Sequence, residues 1–181
     1  MKNSDDSGYT GKHVGVCVLD TGIFPHIDFT GRILAFQDFI GHRIRPYDDN
    51  SHGTHVCGII GGDGRASEGR IRGIAPGCSL IVLKVLDRTG NGRKEDVLQA
   101  FRWILENKRY YGIRVVNISV GTTCRRAEDH RVLIAGVEQL WDAGTEGRKC
   151  DSTGKQPEDY HSRLQRSAYR TDCHIRQGTY L

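Results

Sequence analysis

Asp20 closes the apolar run Val14-Gly15-Val16-Cys17-Val18-Leu19 and is followed by Thr21-Gly22-Ile23. A run of that length and polarity reads as a buried strand. The carboxylate then stands at the strand's C-terminal end, where sites form in an open α/β sheet. His52 lies in Ser51-His52-Gly53-Thr54-His55-Val56-Cys57-Gly58-Ile59-Ile60-Gly61-Gly62. Ser51 in N-cap position before apolar residues predicts a helix whose first turn carries the imidazole out of a loop, presented rather than buried. A carboxylate that orients an imidazole, and an imidazole that takes a proton, are two members of a relay that activates a nucleophile. Two other readings use the same residues: a structural histidine, or half of a metal site from His52 and His55, for which no third ligand has suitable spacing. Gly53 and Gly58 are poor helix formers, and close approach of another backbone is the reason expected for both.

The elements that must position these groups alternate along the chain. Buried strands are predicted over 13–19, 79–86 and 112–120, with a looser, half-buried strand over 32–40. Helices are predicted after His52, over 95–107 with Val97, Leu98, Phe101, Ile104 and Leu105 on one face, and over 127–143 with Val132, Leu133, Gly136, Val137, Leu140 and Trp141 at helical spacing. Gly144 is placed to terminate the last of these. Strand and helix in alternation imply an α/β fold, a doubly wound parallel sheet with helices on both faces. Tyr47-Asp48-Asp49-Asn50 forms the turn into the His52 helix. The glycine-rich stretch 61–73 is a surface connection without a phosphate-binding pattern. In Asp87-Arg88-Thr89-Gly90-Asn91-Gly92 the glycines strip side chains from the backbone, so that another extended chain could lie alongside.

Asp20-Thr21-Gly22-Ile23 and His52-Gly53-Thr54-His55-Val56-Cys57-Gly58 together resemble the subtilisin-like serine proteases, with Cys57 where alanine is usual. The resemblance implies a serine endopeptidase in which Asp20 and His52 are the catalytic carboxylate and base, with His55 the structural histidine of the motif. It places Gly90, Asn91 and Gly92 on one side of the substrate. Asn117-Ile118-Ser119-Val120-Gly121 resembles the family's Asn-Met-Ser-Leu-Gly segment, which puts Ser119, Val120 and Gly121 on the other side. Substrate, an extended peptide or protein, would pair with these backbones as an added strand. Asp28 falls near a calcium-ligating aspartate of the family, but a hard cation needs several oxygen ligands. No cofactor or metal is expected, calcium being the one alternative.

The chain has 181 residues and a net charge of +4, with acidic and basic residues interleaved. Neither a nucleic-acid surface nor a polybasic membrane patch is indicated, and no stretch approaches transmembrane length. The first residues carry no apolar leader, and the six cysteines lack metal-finger spacing. Reduced thiols in a cytoplasmic protein are the expectation. Residues 1–12 read as a polar lead-in and 13–144 as the N-terminal part of a subtilisin-like peptidase domain. From 145 to 181 only Leu164, Ile175 and Leu181 come from the Val/Ile/Leu/Phe set. That stretch is expected to be a disordered, unrelated tail, leaving the sheet incomplete after about residue 144, as a frameshift or truncation would. The family's Ala-Ala-Gly-Asn and Gly-Thr-Ser-Met-Ala motifs, which carry the oxyanion asparagine and the nucleophile, do not occur in the sequence. The relay is therefore expected to be inactive in this chain. The alternative expectations are a peptide-binding pseudoenzyme and a non-functional fragment.

Overall fold

The computed structural model describes residues 9–123, 127–147 and 174–177. Its centre is a five-stranded parallel sheet in the order β2-β3-β1-β5-β7, formed by β1 (Gly15–Asp20), β2 (Ile33–Asp38), β3 (Ser79–Lys84), β5 (Ile113–Ile118) and β7 (Glu146–Gly147). Every residue of β1 is buried, and alternation along the strands divides the apolar side chains between two cores. Val16, Val18, Leu80 and Val82 face Cys57 of α1 (His52–Gly61) together with Phe29. Cys17, Leu19, Ile81 and Leu83 face Val97, Phe101 and Ile104 of α2 (Lys94–Asn107) and Leu133 and Leu140 of α3 (Ala127–Asp142). The near-continuous apolar runs of β1 and β3 thus have one cause: a parallel strand with helices on both faces has no wet side. The doubly wound parallel sheet expected from the sequence is present.

One helix and one strand differ in detail from expectation. In α3 the apolar face is narrower than its periodicity implies: Leu133 and Leu140 are buried, whereas Val132 and Trp141 are exposed, Trp141 by 57%. Gly136 explains how the helix sits. A Cβ there would lie 2.5 Å from Phe101 Cδ2, so α3 rides against α2 at this glycine and its outer flank turns to solvent. Ordered strand ends also come earlier than the apolar run over 79–86 suggests. Val85 and Leu86 remain buried, and both of their N–H groups donate to the one Asp20 carbonyl, which closes the pairing of β3 with β1.

The stretch after Gly144 needs correction in part. Gly144 ends α3 in a left-handed conformation (φ 79°), and Thr145 is buried with its N–H and Oγ1 both donated to the Leu140 carbonyl. The chain therefore turns straight back onto the sheet, and Glu146 and Gly147 pair with Val115 and Val116. A strand was not expected here because no apolar side chains mark it, but backbone pairing alone makes this ladder. The second described piece is β8 (His174–Gln177), which belongs to a three-stranded sheet in the order β4-β8-β6, with β4 at Asn91–Gly92 and β6 at Val120–Thr123. Residues 148–173 and 178–181, which the tail expectation also covers, lie outside the described residues.

The two-sided packing predicts a sharp contrast between aromatic truncations. Phe101→Ala should lower the unfolding free energy by about 3 to 5 kcal/mol, because it empties the seam between α2, α3 and the sheet. Trp141→Ala should change it by no more than about 0.5 kcal/mol. Urea unfolding of both variants checks this; a larger loss for Trp141→Ala than for Phe101→Ala would contradict the packing.

Candidate active site

The strand order places β1 between β3, reached first along the chain, and β5, reached later, so the chain changes direction across the sheet at β1. Crevices form at the carboxyl edge of such a switch point. Asp20 ends β1 there, in register with Lys84 at the end of β3, and Leu19 is in register with Ile118 at the end of β5. Ser119 follows immediately, buried, with its Oγ accepting a hydrogen bond from Asn117 Nδ2 at 2.7 Å.

Asp20 and His52, 32 positions apart in the chain, meet at this edge: His52 Nδ1 lies 2.8 Å from Asp20 Oδ1. The Asp20 side chain is fully buried and that of His52 is 16% exposed. Asp20 Oδ1 also accepts the Thr21 N–H at 2.7 Å, while Oδ2 is buried without a hydrogen-bond partner. Burial dominates the electrostatics of this carboxyl and raises its pKa, against the opposing pull of the His52 hydrogen bond and the Thr21 N–H. A carboxylate kept this dry and half-satisfied gains most from a positive charge forming on the ring beside it.

The start of α1 shows why the ring arrives there. Ser51 is the N-cap residue, but it is left-handed (φ 82°) and its side chain caps nothing, contrary to expectation. The first four N–H groups of the helix are instead met from elsewhere. Ser51 donates to Asp48 Oδ1 at 3.0 Å, His52 to Asn50 Oδ1 at 3.3 Å, Gly53 to Thr21 Oγ1 at 2.9 Å and Thr54 to Asp48 Oδ2 at 2.9 Å, and His55 makes the first helical bond, to the Ser51 carbonyl, at 3.1 Å. Thr21 in turn donates its hydroxyl to Asp48 Oδ1 at 2.9 Å, so one threonine joins the strand end to the helix start. The close approach expected at Gly53 is real, since a Cβ there would overlap the Gly22 carbonyl oxygen. At Gly58 the same test meets open space, so the expectation fails there.

Thr21, Asp48 and Lys84 are the residues that sequence reasoning missed. Asp48 lay within a turn already recognised, and its position six residues before Thr54 gave no short-range capping pattern. Its carboxylate accepts from Thr21 Oγ1 and from the N–H groups of Asn50, Ser51 and Thr54, with a further 2.6 Å bond from Thr54 Oγ1. Burial pushes its pKa up, but the hydrogen bonds from Thr54, Ser51 and Asn50 outweigh that and hold the carboxyl below its usual range. Lys84, though in register with Asp20, does not pair with it. Its buried ammonium donates to the Thr21 and Leu86 carbonyls and, at 2.7 Å, to Asp49 Oδ1. The cation thus fixes the backbone of the Asp20-Thr21-Gly22 turn and leaves the Asp20 carboxylate to His52.

Gly90, Asn91 and Gly92 follow β3 in a loop closed on Asp87, whose Oδ1 accepts the Thr89 and Asn91 N–H groups. Gly90 is left-handed (φ 76°), and a Cβ at Gly92 would overlap the Val85 carbonyl. Val120 and Gly121 lie in β6, and the structure sets this pair of segments, β4 and β6, one strand's width either side of β8. Asn50 Nδ2 donates to the Arg88 carbonyl at 2.9 Å, tying the β4 loop to the turn before His52.

His55, the expected structural histidine of the motif, is exposed and lines an open groove with Phe24, His26 and Thr54. Asp28 uses Oδ1 to accept the Ala66 N–H at 2.7 Å, and no group of three His, Cys, Asp or Glu side chains among the described residues is arranged to hold a metal ion. Cys17, Cys57 and Cys78 are free and buried, and burial pushes all three thiols up in pKa.

The Asp48 junction yields a prediction with a definite pH sign. Asp48→Asn presents an amide to donors and should cost about 2 kcal/mol of stability at pH 7. Because the folded pKa of Asp48 is depressed, its contribution is fully present above the ordinary carboxylate value of about 3.9 and is lost as pH falls through the lower folded value. The gap between the two proteins should therefore close on acidification, measured by urea unfolding at successive pH values. A gap that stays constant into that acid range would refute the assignment.

Comparison with known proteins agrees with this geometry. The sequence model of the Subtilase family matches residues 11–174. The chain is 40% identical over 140 residues to serine protease AprX of Bacillus subtilis, covering 75% of this chain and 32% of that protein. It is 34% identical over 164 residues to subtilisin E of the same organism, covering 87% and 41% respectively. A crystal structure of a cold adapted subtilisin-like serine proteinase superposes with a TM-score of 0.64 at 26% identity, over 78% of this chain and 47% of that one. The chain thus spans less than half the length of each of these relatives. With a matching sheet and a family model that runs through the Asp20 strand, the His52 helix and both flanking segments, this chain belongs to the subtilase family.

Proposed function

We propose that this chain carries the carboxylate and base of a serine endopeptidase relay together with the backbone slot that receives an extended peptide. The observation that carries the reading is the 2.8 Å contact between Asp20 Oδ1 and His52 Nδ1 at the carboxyl edge of the sheet, beside β4 and β6. Asp20 accepts a hydrogen bond from Nδ1–H and so leaves Nε2 as the base that takes the proton of a nucleophilic hydroxyl. When the ring takes that proton, the buried carboxylate stabilises the imidazolium. The reaction class these groups serve is peptide-bond hydrolysis through an acyl-enzyme. Gly90, Asn91 and Gly92 on one side and Ser119, Val120 and Gly121 on the other would hold the peptide by main-chain pairing. The partner is a peptide or protein, with no role for nucleic acid or membrane. Among the described residues no helix is long and apolar enough to cross a bilayer. The three buried free thiols support a cytoplasmic setting.

These 181 residues contain no serine in a Gly-Thr-Ser-Met-Ala context and no Ala-Ala-Gly-Asn. Acting alone they orient a proton acceptor without supplying the attacking oxygen, and loss of the nucleophile in such a relay costs about 10⁶ in kcat. The paired segments β4 and β6 favour a second reading, a peptide-binding protein without chemistry, because the slot does not depend on the missing serine.

Two measurements test this. In imidazole nitrogen–proton NMR spectra, His52 should show an Nδ1-bound proton shifted far downfield, and Asp20→Asn should abolish it by donating its amide to that nitrogen. Because burial raises the Asp20 pKa, its ionised form costs stability above that pKa, and the asparagine variant should unfold no more easily than the unaltered chain at pH 7. An Nδ1 proton unchanged in the variant would overturn the relay. The purified chain should also take up no fluorophosphonate probe; a stable adduct would show that it holds a nucleophile of its own.

A further inference from the structure

The slot just described is filled. β8 lies between β4 and β6 and runs antiparallel to both. Arg176 is in register with Asn91 on one side and Gly121 on the other, and Ile175 with Gly92 and Thr122. Gln177 and His174 continue the register to Val120 and Thr123. A strand paired on both sides has its peptide groups claimed by both neighbours, so a second extended chain cannot enter the same gap.

We propose that His174–Gln177 is an autoinhibitory strand, a segment of the chain that occupies its own peptide-accepting slot and must leave before a peptide partner can bind. The proposal rests on the slot reading given under the proposed function. The argument is positional. Three of the residues the family resemblance assigns to substrate, Asn91, Gly92 and Gly121, are register partners of just two β8 residues, Ile175 and Arg176. β4 and β6 are short, of two and four residues, and neither pairs with a strand of the main sheet. Each therefore presents an open edge that any extended segment can complete. A segment tethered to the same chain has an effective concentration in the millimolar range, enough for a four-residue ladder to compete with free peptide.

The test uses the full chain and a fluorescein-tagged synthetic peptide spanning residues 174–179, with binding read by fluorescence anisotropy. Ile175→Pro removes a ladder donor and places a ring that a central strand excludes. This variant should bind the peptide at least about 10-fold more tightly than the unaltered chain, the tethered competitor being gone. Equal, measurable affinities would overturn the autoinhibitory strand and leave the slot reading intact. Binding by neither protein would overturn both. Hydrogen exchange on the unaltered chain gives an answer that does not depend on a variant folding. The amides of 174–177 should be protected, independently of chain concentration, and should lose protection when peptide saturates the slot. Exchange at the free-peptide rate, protection that appears only as chain concentration rises, or protection unchanged by bound peptide would each refute it.

Discussion

The separation between β1 and α1 is set by backbone meeting backbone at Gly22 and Gly53, and the Asp20–His52 contact depends on it. Gly22 is left-handed (φ 126°), and a Cβ on it would overlap the Tyr47 carbonyl, while a Cβ on Gly53 would overlap Gly22 itself. Three pieces of chain are stacked here with no side chain between them: the end of β1, the turn at Tyr47 and Asp48, and the first turn of α1. Gly22 and Asp48 form an isolated bridge, and the Ile23 N–H donates to the Tyr47 carbonyl at 3.1 Å. A methyl group at either glycine would push the helix outward, and an imidazole moved by 1 Å no longer addresses the same carboxylate lone pair.

Around that contact the charges are sorted so that each anion has a different task. Asp48 is saturated with donors and held ionised. Asp38 does similar work at the end of β2, two strands from β1, accepting from the Ile40, Gly41 and Arg43 N–H groups and from the Tyr47 hydroxyl. There too burial works upward and the hydrogen bonds prevail, holding the pKa down. Asp20 alone is left short, with one oxygen unpaired and its pKa raised. The nearest buried cation, Lys84, is turned away from it onto two carbonyls and Asp49. A well-solvated or lysine-paired Asp20 would have little to gain from a protonated His52. The under-satisfied one has a great deal, which is the electrostatic condition for a carboxylate that serves an imidazole.

What the sequence made legible follows the distinction between periodic and non-local signals. β1, β3, α2 and the placement of Asp20 and His52 were readable because burial on both faces writes long apolar runs and an amphipathic helix writes a stripe. The capping of α1 was not, because its acceptors sit at 21, 48 and 50 and come together only in three dimensions; Ser51 had the right residue type and the wrong conformation. The outward turn of Val132 and Trp141 on α3 depends on where Gly136 lets Phe101 in, which periodicity cannot register. β7 and β8 were invisible for a third reason. Composition reports whether side chains can form a core, whereas both strands are defined by backbone ladders onto edges that other segments had already prepared.

That last point bears on how the slot and the relay are connected. β4 and β6 are not free-standing: β4 hangs from Asp87 and, through Arg88, from Asn50, whose side-chain oxygen also accepts the His52 N–H. β6 continues from Ser119, held by Asn117 at the end of β5. Any strand lying between β4 and β6 is therefore referenced on one side to the residue that caps His52 and on the other to the strand beside Asp20. The β4 edge is linked to the backbone of His52 by two hydrogen bonds of Asn50, without passing through the hydrophobic core. The strand between β4 and β6 and the His52 ring therefore share one frame, which under the proposed function is what a reaction needing both a positioned peptide and an oriented base requires.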